Sequence, residues 1–145
     1  MVQESLVSEI ANIVGNGFRI RGWDRPDRLI IELTGVWTRE DFAGYDRALR
    51  AALAQCPPQG HDLLIDLSAF GIQPAELVPL FRAQMEDGRG LTRRTALVVP
   101  TIIRRVQIMP LMNVRPNVRL FDSRSEAAQW LDADSSTDLT GFAGN

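Results

Sequence analysis

Lysine is absent from this chain of 145 residues, and cysteine and histidine occur once each. Each shortage excludes something. All sixteen basic residues are arginine, which a genome-wide codon bias explains more simply than a special demand for guanidinium forks. The lone Cys56 rules out an internal disulfide and any cysteine-based metal cluster. Beside Pro57-Pro58 it reads as a small apolar residue at a helix end. The lone His61 rules out two-histidine metal motifs, so no metal or other cofactor is expected. No stretch approaches the roughly 20 apolar residues of a membrane span. The first residues carry Glu4 and Glu9 and no basic start, unlike a secretory signal, so the cytoplasm is the expected compartment. A net charge of −2 gives no global pull toward nucleic acid or an anionic membrane. No glycine-rich phosphate loop follows a strand, because Gly88-Arg89-Gly90 comes after a helical stretch.

What is present is one domain's worth of chain. The organising stretch is His61-Asp62-Leu63-Leu64-Ile65-Asp66-Leu67-Ser68-Ala69-Phe70. Its apolar run, ending in Asp66 and a small polar turn, reads as a central strand covered on both faces. Before it, residues 3–14 show helix-like spacing that Gly15-Asn16-Gly17 ends. Phe18 to Trp23 and Leu29 to Leu33 read as an antiparallel hairpin around Asp24-Arg25-Pro26-Asp27. Thr38-Arg39-Glu40-Asp41 opens a helix with Phe42, Tyr45, Leu49 and Leu53 on one stripe. After the central strand, Leu77, Leu80, Phe81 and Met85 mark a second helix, with Pro79 either in its first turn or kinking it. Thr95 to Val99 is a strand, Ile102 to Met112 a helix and Val118 to Phe121 a last strand. Ser123-Arg124-Ser125-Glu126 has the form of a capping box opening the final helix. Alternating strands and helices predict a mostly parallel sheet. The expected organisation is an N-terminal helix or arm (1–15), the α/β domain (16–132) and a flexible tail (133–145).

Ligands of open α/β sheets gather at the carboxyl ends of the strands, which singles out Asp66 and Ser68. His61 stands at the other end of the same strand, about 15 Å away at ~3.3 Å per residue, so the three cannot share a proton and His61 reads as a solvated strand-entry residue. Asp66 and Asp122 could meet at one rim for acid–base work, but capping helix amides beyond each strand is the plainer role. Between Asp87 and Asp122 lie seven arginines (89, 93, 94, 104, 105, 115, 119) and no acid, a basic face able to steer acidic partners. In the 102–112 helix, Ile102, Val106 and Met109 make a core stripe. Ile108, Leu111 and Met112 fall on the far side, among Arg104, Arg105 and Gln107. A helix on a sheet needs one apolar face, so the surplus predicts a contact with another subunit, a partner or an acyl chain.

The order and spacing of Leu29-Ile30-Ile31-Glu32-Leu33-Thr34-Gly35, Thr38-Arg39-Glu40-Asp41-Phe42, Leu63-Leu64-Ile65-Asp66-Leu67-Ser68, Val118-Arg119-Leu120-Phe121-Asp122 and Glu126-Ala127-Ala128-Gln129-Trp130-Leu131 resemble the SpoIIAA-like members of the STAS superfamily, the bacterial STAS/SEC14 domain-containing group. The resemblance implies an α/β single domain with a mixed, mostly parallel sheet of four to five strands and helices packed on it. It also implies docking to protein partners without catalysis. The phosphorylatable Asp-Ser-Ser/Thr-Gly turn of the superfamily's antagonists is replaced here by Ser68-Ala69-Phe70-Gly71-Ile72-Gln73-Pro74-Ala75, so the phosphoserine switch is not expected. The first expectation is a non-enzymatic interaction module, homodimeric, docking through Asp66, Ser68, Thr101, Arg104, Arg105, Ile108, Leu111 and Met112. The alternative is a binder of a small apolar or acyl ligand, with Arg104 and Arg105 at the headgroup and a cavity of several hundred Å³. The third is an enzyme using Asp66 and Asp122.

Overall fold

The structure, a computed structural model, describes residues 13–23, 25–87, 92–99, 108 and 117–132. A six-stranded sheet runs in the order of the chain: β1 Ile13–Gly15, β2 Phe18–Gly22, β3 Arg28–Gly35, β4 His61–Phe70, β5 Thr92–Val98 and β6 Val118–Phe121. The first two pairings are antiparallel and the other three parallel. The sheet is thus one strand larger than the sequence pattern predicts. The addition is β1, formed by Ile13, Val14 and Gly15, which helix-like spacing assigned to the N-terminal helix or arm. Asn16-Gly17 closes its hairpin with β2, and Gly17 takes φ +83°, a conformation that glycine adopts without steric cost. A methyl group on Gly17 would also stand 2.5 Å from the Trp37 indole nitrogen.

Helix α1, Arg39–Leu53, starts where chemistry says it should. The Thr38 hydroxyl accepts from the Asp41 N–H at 3.1 Å and the Asp41 carboxylate accepts from the Thr38 N–H at 2.9 Å, a reciprocal box that satisfies orphan amides. Phe42, Tyr45, Leu49 and Ala52 are its buried stripe. A 3-10 turn, Ala75–Leu77, leads into α2, Val78–Asp87. Pro79 therefore lies in the first turn, where its missing N–H costs nothing. Helix α3 covers 124–132, with the Ser123 hydroxyl accepting from the Glu126 N–H at 3.2 Å. Cys56 matches the sequence reading. Its thiol donates to the Ala52 carbonyl, and burial first, with Asp27 second, pushes its pKa up to about 11.

Strand order and handedness decide where the helices go. Parallel crossovers that step steadily in one direction, each right-handed, place their helices on the same face. Phe18, Ile20, Leu29, Ile31, Leu33, Leu63, Leu67 and Leu97 point to that face and meet α1 and α2 in the main core. Ile30, Leu64, Ala96 and Val98 point the other way and are covered by Ala127 and Leu131 of α3. Strand β4 is consequently buried on both sides over its first four residues. Among the described residues no helix is long and apolar enough to cross a membrane.

Two sequence expectations change here. His61 is 1% exposed and its Nε2 lies 2.6 Å from the Thr92 hydroxyl. It is a buried inter-strand group, because β5 begins alongside β4 at that point. Ile108 is helical, half-buried and packed on the main core, so it faces inward where the spacing placed it on the outer side. The rest of the segment 102–112, expected from its spacing to be a helix, lies with Thr101, Arg104, Arg105, Leu111 and Met112 outside the described residues, as do 1–12 and 133–145.

Candidate functional site

The carboxyl rim of the parallel strands is shaped by one irregularity. Glu32 pairs with Asp66, but two residues later Thr34 pairs with Ala69, three residues along β4. The extra residue is a bulge. It lets Leu67 and Phe70 both enter the core although they are three apart, and leaves Ser68 and Ala69 exposed. Asp66 stabilises the bulge itself. Its Oδ1 accepts from the Ser68 N–H at 2.9 Å and from the Ser68 hydroxyl at 2.5 Å, the local turn that Asp side chains favour. This replaces the helix-capping role expected for Asp66.

The second oxygen of Asp66 accepts from Arg124 Nε at 2.7 Å, and the same guanidinium donates to Glu32. Arg21 stands 3.7 Å from Glu32 on the far side. Glu32 and Asp66, register partners on one face, would repel as bare carboxylates; the Arg124 fork compensates both. Burial works to raise the Asp66 pKa, but the Ser68 hydroxyl, the Arg124 guanidinium and the Ser68 N–H together outweigh it and hold the carboxyl below its ordinary value. A depressed carboxylate is poorly suited to general acid or base work near neutrality. The sign for stability follows: the Asp66 contribution is whole above pH 3.8 and fades as pH falls through the lower, folded value. Asp66→Asn is therefore expected to flatten the acid side of the urea-midpoint profile, leaving a shallower decline below pH 3.8 than the parent shows.

The two loops above this network are locked together. Gln73, 6% exposed, accepts from the Trp37 N–H at 2.7 Å and donates to the carbonyls of Gly35 at 2.8 Å and Gly71 at 2.9 Å. Gly71 adds an N–H to Gly35 O at 2.9 Å. The bracket holds out two large aliphatic side chains, Val36 at 64% exposure and Ile72 at 54%. Val36 leans against Gly71, where an added methyl would lie 2.8 Å from its Cγ2. On the open face beside the rim, Glu32, Thr34, Asp66, Ser68, Gly15 and Gly17 line a shallow groove of about 370 Å³.

Of the residues singled out from sequence, Asp66 and Ser68 come together and Asp122 is exposed beyond β6. Glu32, Arg124, Gln73, Val36 and Ile72 carry no local signal for a site; only pairing across strands assembles them. The cavity between sheet, α1 and α2, lined by Tyr45, Phe70, Phe81, Met85 and Ile108, measures about 60 Å³. An acyl chain needs several hundred. Among the described residues, no three His, Cys, Asp or Glu side chains cluster to hold a metal. Among the described residues, the arginines of the basic run have local partners. Arg93 pairs with Asp27 and Asp62, Arg94 with Asp62, and Arg119 stacks on Trp130.

A mixed α/β sheet of this order, with helices packed on it and a rim built from the ends of β3 and β4, is the SpoIIAA-like fold. Among solved structures the chain is similar to the anti-sigma factor antagonist SpoIIAA in its unphosphorylated form, with TM-score 0.61 and 15% identity over 80% of this chain and 96% of that one. It is similar to an anti-sigma factor antagonist from Mycobacterium paratuberculosis, with TM-score 0.53 and 19% identity over 77% and 92%. It is also similar to an uncharacterised DUF3478-family protein with a SpoIIAA-like fold from Shewanella loihica, with TM-score 0.64 and 19% identity over 82% and 98%. Neither the protein-family models nor the curated proteins contain a match.

Proposed function

We propose that this domain is a non-enzymatic, STAS-type regulatory module that docks a protein partner through the carboxyl rim of β3 and β4. One observation carries the reading. Val36 and Ile72 are two of the three large hydrophobic side chains exposed among the described residues, and both stand on loops that Gln73 holds rigid. Scattered apolar residues on a surface mean little; neighbours on a stiff support, rimmed by polar groups, have the character of an interface centre. Asp66 and Ser68 supply the polar edge. The kinship in fold with two anti-sigma factor antagonists supports the same reading. Since Ser68 lies in the bulge within β4 and the Gln73 bracket occupies the turn after it, docking here is proposed to run without a phosphoserine switch. The cytoplasm is the proposed compartment, and a second copy of the chain is one partner to be tested.

The test is quantitative affinity capture with wild type and Val36→Asp/Ile72→Asp, followed by titration of the purified captured partner. The double variant is expected to lose the partner by at least tenfold while keeping its circular dichroism spectrum. Gln59→Glu, on the exposed loop before β4 at the opposite end of the strands, is expected to bind as the parent does. Equal binding by all three proteins overturns the rim as the docking surface.

A further inference from the structure

Helix α3 differs from α1 in how it is held. Helix α1 sinks four side chains into the core. Helix α3 fully buries only Ala127 and Leu131, with Trp130 packed at the margin against Phe121. Its attachment to β6 is the pair Asp122-Ser123. Arg119 of β6 also stacks on Trp130, and ion pairs stand at both ends of the helix. Arg124 reaches Asp66 and Glu32 at the rim, and Asp132 accepts from Arg28 at 2.7 Å at the opposite end of the strands.

Two features say these ion pairs serve docking and not the helix. Arg124 occupies the first turn, where the helix dipole disfavours a cation. Arg28, 1% exposed, lies over Trp23 with its guanidinium 4.8 Å from the ring centroid, near the buried Asp62. Arg28 and Asp66, the more buried partners of these pairs, regain hydration when uncovered, which offsets part of the cost of exposing apolar surface. A short helix with little apolar burial over a partly ionic floor belongs to the low-stability end of a structure.

We propose that residues 124–132 form a releasable strap. It swings as a unit about Asp122-Ser123 while the sheet, α1 and α2 stay folded, and uncovers the strip Ile30, Leu64, Ala96 and Val98. Arg124 is the latch. Because its guanidinium bridges Asp66 and Glu32, release of the strap also frees the two carboxylates of the rim, and engagement of those carboxylates by another cation favours release. The strip so uncovered, apolar at its centre with acids at one end and Arg28 at the other, matches a short amphipathic helix with a cation at its start and an acid about two turns on. Helix α3 fills that role within the chain. Strap release is a property of the isolated protein and is independent of docking at Val36 and Ile72.

The experiment is native-state hydrogen exchange by NMR on the full chain, across urea concentrations below the unfolding transition. The amides of 128–132 are expected to exchange at least 100-fold faster than the central amides of β3 and β4. They should share one opening free energy whose urea slope is measurable but well below that of β4, since release exposes a small area. Arg124→Gln is expected to speed the strap amides about tenfold and leave β3 and β4 unchanged. Arg124→Lys should fall between, since an ammonium cannot fork across two carboxylates. Val36→Asp/Ile72→Asp should change none of these rates. Three results overturn the strap: strap amides that follow the urea slope of β4, rates that climb residue by residue toward 132 as in simple fraying, or an Arg124→Gln effect spread over the whole sheet.

Discussion

Asp62→Ala is expected to cost about 3–5 kcal/mol in urea denaturation, the penalty for stranding buried charge. Asp62 is fully buried between strands. Its carboxylate lies 3.2 Å from Arg94, 3.4 Å from Arg93 and 4.0 Å from Arg28. Removing it takes a buried countercharge away from Arg28, itself 1% exposed, which also pairs with the peripheral Asp132. The physics predicts an asymmetry that a packing defect would not produce. Arg28→Met combined with Asp62→Leu removes both the cation and its countercharge, and apolar replacements of buried pairs are often neutral. The double variant is therefore expected to recover most of the loss, because Arg93 and Arg94, half-buried, can turn toward solvent. If the double variant is as unstable as the sum of its parts, Asp62 matters for shape and not for charge.

Trp37→Ala carries the second large expectation, about 3–5 kcal/mol for emptying a large aromatic site. Trp37 is 3% exposed and meets Tyr45 at 5.2 Å, Phe70 at 5.2 Å and Phe81 at 5.6 Å between ring centroids. Its indole N–H donates to the Thr34 carbonyl at 3.0 Å. It thus connects α1, α2 and the ends of β3 and β4 at the point that supports the rim. Loss of the ring should lower the urea midpoint and collapse the near-ultraviolet dichroism. It should also weaken partner capture more than a core substitution of equal cost placed far from the rim. Leu49→Ala in α1 is the comparison. Equal effects of the two on capture would separate the rim from the aromatic cluster beneath it.

Much of the architecture could be read from periodicity. The hairpin of β2 and β3, the Thr38 cap, the doubly covered β4 and the span of β6 all follow from local pattern and turn chemistry. The strand β1 was hidden because Ile10, Ile13 and Val14 satisfy helical spacing, and three residues are too few for alternation to compete. Burial of His61 was hidden because nothing nearby in sequence reveals that Thr92 starts beside it. The partners of Arg93 and Arg94, two of the seven arginines in the basic run, were hidden for a similar reason. Charges segregated along the chain are interleaved across strands, where Arg93 and Arg94 find Asp27 and Asp62. The candidate site shows the same limit. Asp66 and Ser68 stand together at a strand end and can be singled out, whereas Glu32 and Arg124 are 92 residues apart.

Sequence alone determined the kind of domain this is: an alternation of strands and helices, one histidine and one cysteine, and a central strand ending in Asp66 and Ser68. Those are local properties, set by side-chain periodicity, capping and the chemistry each residue type allows. Only the tertiary structure decided which charges are buried partners, which aliphatic side chains the Gln73 bracket leaves in water, and that one short helix shields the second face of the sheet. The reason is physical. Strand register and crossover handedness bring together residues that the chain holds far apart, and an ion pair or an exposed patch exists only once that pairing is made.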